Sequence, residues 1–366
     1  MRIGIVGGGI TGLATAWALV KRGAAVTLFE QGPVPNPLSA SGDQHRLIRR
    51  AYGRRGGSTG GYARMIGEAY AAWDELWDDL GEHHLADTGF LIVSQHEGDS
   101  AEAYRDGLIA AGDPCEVLNG RDAAARWLFL DPDVCRWVAF SPEGGALLCE
   151  PIAEGLARLI RGAGGTVHEN ARVDSIDTGA GTLVAAGEPF AFDQLVVAAG
   201  AWVTGLCPDL ADRLTAYRTA VAYLTPPDDL EDAWAHAPGF LDLGGTIDGY
   251  VLPPVRGTDL KVGTGLHKRV SPPDADREPE DWEGAAIRDR FTPFARLSEY
   301  GIDHVRSCVY TFTIDERFFA ERRGRAWVVS ACSGHGYKFG AAIGRRMADA
   351  LLERADPVPW LEARAA

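Results

Sequence analysis

Three glycines and one acid carry the first chemical signal in this chain. Gly7-x-Gly9-x-x-Gly12 follows the apolar run Arg2–Val6 and opens a stretch in which Leu13, Ala16, Trp17 and Val20 recur at helical spacing. In that setting the first glycine permits a tight turn and the second lets backbone approach a pyrophosphate. The third allows close helix–strand packing, and the helix N-terminus supplies unpaired N–H groups and a positive dipole. Glu30 lies 18 residues beyond Gly12, at the end of the second apolar run Ala25–Phe29. A carboxylate there accepts hydrogen bonds from ribose hydroxyls and disfavours a 2′-phosphate. The pattern points to a dinucleotide without choosing between NAD and FAD. A turn serving only chain reversal would leave Glu30 without a role.

Other reactive side chains are spread more widely. Residues 31–61 are rich in Gly, Pro and Ser and carry Arg46, Arg49, Arg50, Arg54 and Arg55. Such long irregular segments are often functional, although a run of charges usually ends in solvent. Six cysteines (Cys115, Cys135, Cys149, Cys207, Cys308, Cys332) include no C-x-x-C pair, which suits neither a metal site nor a disulfide framework. A reducing cytoplasm and no metal are expected. His83-His84 has no partner motif and reads as surface.

The elements that must position these groups follow from periodicity. Residues 2–30 read as strand, glycine turn, helix and strand, with Gly23 as the helix stop. A helix is expected from Tyr62 to Leu80, with Trp73 and Trp77 on one face as core, and another from Pro151 to Arg161. Strands follow through Val173–Ile176 and Leu195–Ala199, and residues 217–270 read as β-rich. The Pro- and acid-rich stretch 271–284 reads as a solvated loop. Ala326–Ser330 reads as a strand, Ser333–Gly336 as a turn and Phe339–Leu352 as a helix. The expected class is α/β (α+β): a Rossmann-like nucleotide-binding domain with a second, β-sheet-rich substrate domain. Residues 1–75, 145–215 and 305–366 would form the first, and 76–144 with 216–304 the second.

Bulk properties set limits. The 366 residues are 46% hydrophobic and 24% charged, which is globular composition. A net charge of -15 repels phosphate backbones and anionic lipid, so neither nucleic acid nor membrane is an expected partner. No apolar run reaches the roughly 20 residues needed to span a bilayer, and the N-terminus lacks a signal-peptide pattern.

Gly7–Glu30 resembles the N-terminal motif of the FAD-dependent D-amino-acid oxidase superfamily, and Leu195-Val196-Val197-Ala198-Ala199-Gly200-Ala201-Trp202 resembles its second flavin motif. Arg46-Leu47-Ile48-Arg49-Arg50-Ala51-Tyr52-Gly53 is similar to the monomeric sarcosine oxidase branch. So are Cys308–Glu316 and Ser333-Gly334-His335-Gly336-Tyr337-Lys338-Phe339. These motifs run in order over nearly the whole chain.

The resemblance implies FAD held by Gly7, Gly9, Ile10, Thr11, Gly12, Glu30, Gln31, Gly42, His45, Arg46, Val173, Ala199, Gly200, Trp202 and the Gly334–Gly336 turn. It implies a tether from the flavin 8α-carbon to Cys308, where Arg306 would favour thiolate; Cys332 is the rival. Lys261 matches the oxygen-activating lysine, whose charge stabilises superoxide. Arg49 and Lys338 match a carboxylate clamp, with Lys338 also beside the flavin. Tyr250 reads equally as a substrate-lining hydroxyl or an ordinary strand aromatic. The implied reaction is oxidation of a secondary or N-methylated amino acid, or a cyclic imino acid, by molecular oxygen in a monomer, giving an imine and hydrogen peroxide. A dehydrogenase using a quinone or protein carrier, or a non-catalytic flavin module, are the alternatives. Two departures fall near the catalytic face. Gln44-His45 replaces a shorter, threonine-bearing pattern, and His267 lies six residues after Lys261, two beyond the relatives' histidine.

Overall fold

Strand Arg2–Val6 lies inside a six-stranded sheet of the computed structural model, which describes residues 1–52, 59–245, 248–275, 277–330 and 332–364. Gly53, Arg54 and Arg55 of the arginine-rich stretch fall outside the described residues. The sheet order is Phe319–Arg323, Ala326–Ser330, Gln194–Val197, Arg2–Val6, Ala25–Phe29 and Thr166–His168. All neighbours are parallel except the first pair. Ile3, Ile5, Leu195, Val196, Val197 and Val328 are fully buried, as strands covered on both faces require.

Helix Ile10–Val20 begins at Gly9, and Gly23 ends its last turn at φ +78°. Helix Gly340–Leu352 packs against it so closely that a Cβ at Gly344 would lie 2.4 Å from the Ala14 carbonyl. Helix Cys149–Gly162 covers the same face. The Trp73–Trp77 stripe of helix Thr59–Leu80 is core as expected, its rings stacked at 5.1 Å.

The stretch 31–61 is less irregular than its composition suggests. His45–Arg49 is a strand, paired antiparallel with Gly144–Leu148, which also takes Leu85–Ala86. Its two arginines and one histidine hide the strand from any hydrophobic pattern.

The second large sheet has nine strands. Along its path lie Arg269–Val270, Thr215–Thr225, Leu260–Thr264, Gly249–Leu252, Gly239–Asp242, Phe90–Ser94, Trp137–Ser141 and Glu116–Asn119. The long strand Gly301–Phe312 pairs with Thr215–Thr225. Residues 217–270 are therefore β-rich, and the fold is the mixed α/β class expected. The acid-rich stretch 271–284 is not wholly solvated, however. Glu283 is fully buried and takes both Arg218 nitrogens, at 2.5 and 2.7 Å. Arg218 points inward from its strand, and a buried guanidinium must be paired.

Candidate active site

A cavity of about 1240 Å³ opens where the parallel strands end. Val6, Phe29, Ala198 and Ser330 line it, so it lies outside the carboxyl ends of the six-stranded sheet, the usual ligand position in such folds. The facing wall comes from the nine-stranded sheet through Thr219, Val221, Tyr250, Thr264 and Cys308.

At one end the glycine motif presents backbone. Gly7, Gly9, Ile10 and Thr11 line the cavity. Gly7 has φ +108°, and a Cβ there would lie 2.3 Å from the Ala198 carbonyl oxygen. Gly12 stands behind it, where a Cβ would lie 1.9 Å from the Gly7 carbonyl oxygen. Only glycine permits that approach.

Glu30 is buried and lines the cavity, but it also organises its own loop. Its carboxylate accepts from Gly8 N at 2.6 Å, Asn36 Nδ2 at 2.8 Å and Gly32 N at 3.1 Å. Gln31, Val173, Ala199, Gly200 and Trp202 complete this end. Gly42 and His45 stand behind the wall instead. A Cβ at Gly42 would meet the Asn36 carbonyl oxygen at 1.8 Å, and His45 Nε2 faces the Pro253 carbonyl at 3.3 Å. Burial, then the nearby Lys261 charge, push the His45 imidazole down to about 3, so it is neutral.

The opposite end is cationic. Arg46 lines the cavity, donates to the Ala40 carbonyl at 2.6 Å and pairs with Asp43. Lys261 is fully buried behind the wall and not on it. Its ammonium donates to Asp43 Oδ2 at 2.6 Å and to the His45 carbonyl at 3.0 Å. Burial and the like charge of Arg46 push it down to about 8, against the pull of Asp43.

Arg49 and Lys338 both line the cavity. The Arg49 guanidinium lies over the rings of Tyr52 and Tyr104 at 4.9 and 5.4 Å, and its buried Nη1 has no hydrogen-bond partner among the described residues. Lys338 donates to the His335 carbonyl at 3.1 Å, while Trp73 Nε1 donates to the Lys338 carbonyl at 2.7 Å and fixes its backbone. Burial and the Arg49 charge hold the Lys338 ammonium well below the ordinary lysine range. This chain has 36 Lys and Arg but only four lysines (Lys21, Lys261, Lys268, Lys338). Lys268 and Lys338 line the cavity, and the buried Lys261 stands behind its wall.

Cys308 and Cys332 both line the cavity. Burial pushes the Cys308 thiol up, with Arg46 the largest opposing influence and Arg306 a smaller one. The balance favours thiol in the protein alone, contrary to the thiolate expected from Arg306. The Ser333–Gly336 turn spends much of its hydrogen bonding internally. His335 N donates to the Cys332 carbonyl at 2.9 Å, and Gly334 and Gly336 N–H groups approach the Cys332 side chain. The His335 ring packs on Tyr62 and Phe318, each at 4.8 Å. His267 lies away from the cavity, against Trp282 at 4.4 Å.

Sequence reasoning missed Asp43, Tyr52 and Tyr104 as cavity residues. An acid standing alone before the arginine run was the only signal for Asp43.

These features fit a dinucleotide with a reactive ring: backbone at Gly7 and Gly9, a helix N-terminus, and an unmatched guanidinium nitrogen deep in the cavity. Residues 2–350 match the family described as FAD dependent oxidoreductase (DAO). The chain is 25% identical over 358 residues to monomeric sarcosine oxidase of Bacillus sp. (strain NS-129), covering 94% of this chain and 91% of that one. It is also 25% identical over 368 residues to N-methyl-L-tryptophan oxidase of Yersinia pestis (strain Pestoides F), covering 97% and 95%. L-proline dehydrogenase from P. horikoshii superposes with a TM-score of 0.83 at 18% identity, covering 99% of this chain and 96% of that one. The chain belongs to the DAO family of FAD-dependent oxidoreductases, among relatives that are amine and amino-acid oxidases.

Proposed function

We propose that this protein is an FAD-dependent oxidase of a secondary or N-methylated amino acid, or of a cyclic imino acid, yielding an imine and hydrogen peroxide. The observation that carries this reading is the pair of basic groups on the cavity wall, the half-buried Arg49 and the buried Lys338. Neither has a carboxylate partner among the described residues. Holding a buried guanidinium nitrogen and a buried amine side by side with no anion is costly, and an anion that completes them relieves the cost. A substrate carboxylate does so, with charge-assisted bonds that orient the amine.

Bound FAD supplies the two-electron acceptor for the substrate's C–N bond. Tyr52 and Tyr104 hold the Arg49 guanidinium in place through their ring faces, and Tyr250 closes the wall near Lys261, whose ammonium lies 5.9 Å from its ring centre. Cys308 is the proposed covalent tether and Lys261 the proposed cation for the reaction with oxygen. The flavin would be held by residues 1–75, 145–215 and 305–366, and the substrate by 76–144 and 216–304, in a cytoplasmic monomer. Among the described residues no helix is long and apolar enough to cross a membrane.

One observation favours a second reading, a dehydrogenase passing electrons to a quinone or protein carrier. Lys261 stands behind the wall with its charge already matched by Asp43. Peroxide measured under air against amine consumed separates the two: one-to-one yield supports the oxidase, and turnover only with an artificial acceptor sinks it. Oxygen-free bleaching of the yellow protein by an amine panel tests the substrate class. Bleaching by N-methyl or cyclic amino acids, and not by the corresponding amines without carboxylate, is the expected result. Acid precipitation tests the tether, since colour leaving with the supernatant excludes it.

A further inference from the structure

The carboxylate of Asp43 is the most heavily engaged side chain at the cationic end, and the reading above gives it no task. Its Oδ2 takes the Lys261 ammonium at 2.6 Å and the Arg46 guanidinium. Its Oδ1 takes Arg306 Nη1 at 3.0 Å, the Tyr223 hydroxyl and the Gln44 N–H at 2.8 Å. The three cations come from three strands, His45–Arg49, Leu260–Thr264 and Gly301–Phe312. Asp43, on the segment just before the first of these strands, is the one anion they share among the described residues.

We propose that Asp43 is a positioning residue, which holds the Lys261 ammonium and the Arg46 guanidinium in fixed places and keeps Lys261 charged although no water reaches it. Its link to catalysis rests on the proposed role of Lys261. The other titratable groups around Lys261 supply no negative charge near neutral pH. His45 is a neutral imidazole, and burial pushes the Cys149 and Cys308 thiols and the Tyr250 phenol up, so all three keep their protons. Arg46 adds a like charge. Without Asp43, Lys261 would keep only the His45 carbonyl as acceptor against burial and the repulsion of Arg46, and its ammonium would lose its proton below pH 8, where the intact cluster holds it. The Arg46 guanidinium would also lose its carboxylate and keep only the Ala40 and His45 carbonyls. Asp43 itself stays ionised, since Arg46, Lys261 and Arg306 together outweigh its burial.

The four lysines make a direct test practical, because protein carrying isotope-labelled lysine side chains gives only four signals to assign. The holoenzyme is titrated from about pH 6 to 10 by NMR, as wild type, Asp43→Asn, Asp43→Glu and Tyr223→Phe. The Lys261 midpoint is expected to fall by about one unit or more in Asp43→Asn, equivalent to about a tenfold weaker hold on the proton. Asp43→Glu, which restores the charge, should bring it back most of the way. Tyr223→Phe, which removes a donor but no charge, should move it much less. An unmoved midpoint in Asp43→Asn overturns the proposal, as does an equal shift in Tyr223→Phe. If Asp43→Asn does not fold, Asp43→Ser, which also removes the charge, takes its place, with the same expected fall and the same overturning result. Reoxidation of the reduced enzyme is followed separately. If Lys261→Met reoxidises as fast as wild type, the oxygen role of Lys261 fails, while the lysine titration still decides the role of Asp43.

Discussion

Replacing Lys261 with Met should make the protein more stable at neutral pH while impairing its function. The Lys261 ammonium is fully buried and pushed from 10.5 down to about 8. At about 1.36 kcal/mol per unit, this shift corresponds to about 3 kcal/mol of destabilisation carried by the charged form. The unfolded chain binds this proton more tightly than the folded one. Between pH 8 and 10.5 unfolding therefore takes up a proton, and wild-type stability gains as pH rises through that window. Below pH 8 the group is charged in both states and the full penalty applies.

Methionine fills a similar volume without the charge. Asp43 keeps Arg46, Arg306, Tyr223 and the Gln44 N–H, and the His45 carbonyl keeps Arg46 Nη1 at 3.1 Å. No buried acceptor is orphaned. The expected gain is about 1–3 kcal/mol at pH 7, shrinking toward zero near pH 10.5. Urea unfolding of both proteins at several pH values measures it. A Lys261→Met protein that is less stable than wild type at pH 7, or a difference that does not change with pH, refutes the reasoning.

Three other perturbations follow from contacts already described. Gly12→Ala puts a methyl 1.9 Å from the Gly7 carbonyl oxygen and should abolish FAD retention, read from the flavin-to-protein absorbance ratio after gel filtration. Arg49→Met should weaken substrate binding by about 10- to 100-fold, the worth of a hydrogen bond to a charged group, in anaerobic titration of a carboxylate-bearing amine. The same variant should leave amines without a carboxylate little affected. Arg218→Met leaves Glu283 buried without its partner and should cost about 3–5 kcal/mol in urea unfolding, with Arg218→Met/Glu283→Leu recovering most of it.

What could be foreseen from the residues depended on how local the governing physics was. Gly7, Gly9 and Gly12 were legible because backbone geometry forces glycine at set intervals, and the Cβ clashes at Gly7 and Gly12 are the reason. Trp73 and Trp77 were legible because helical period is a local property. Strand His45–Arg49 was hidden because its pairing with Gly144–Leu148 outweighs a polar composition. Glu283 sat in an acid-rich run whose average said solvent, yet one distant arginine drew it inward. Asp43 meets Lys261 across 218 positions of sequence, and no spacing rule reaches that far. Cys308 illustrates the converse. Its position could be matched by motif, but the balance between its burial and Arg46 is set by the surroundings.

The order of strands in the six-stranded sheet also bears on synthesis. Strand Arg2–Val6 leaves the ribosome well before its parallel neighbour Gln194–Val197, and the next strand Ala326–Ser330 comes later still. Ser333–Lys338, which line the cavity, follow that last strand. A nascent chain therefore cannot offer the cofactor its finished setting until Ser333–Lys338 have emerged, and the glycine turn must wait with its partners absent.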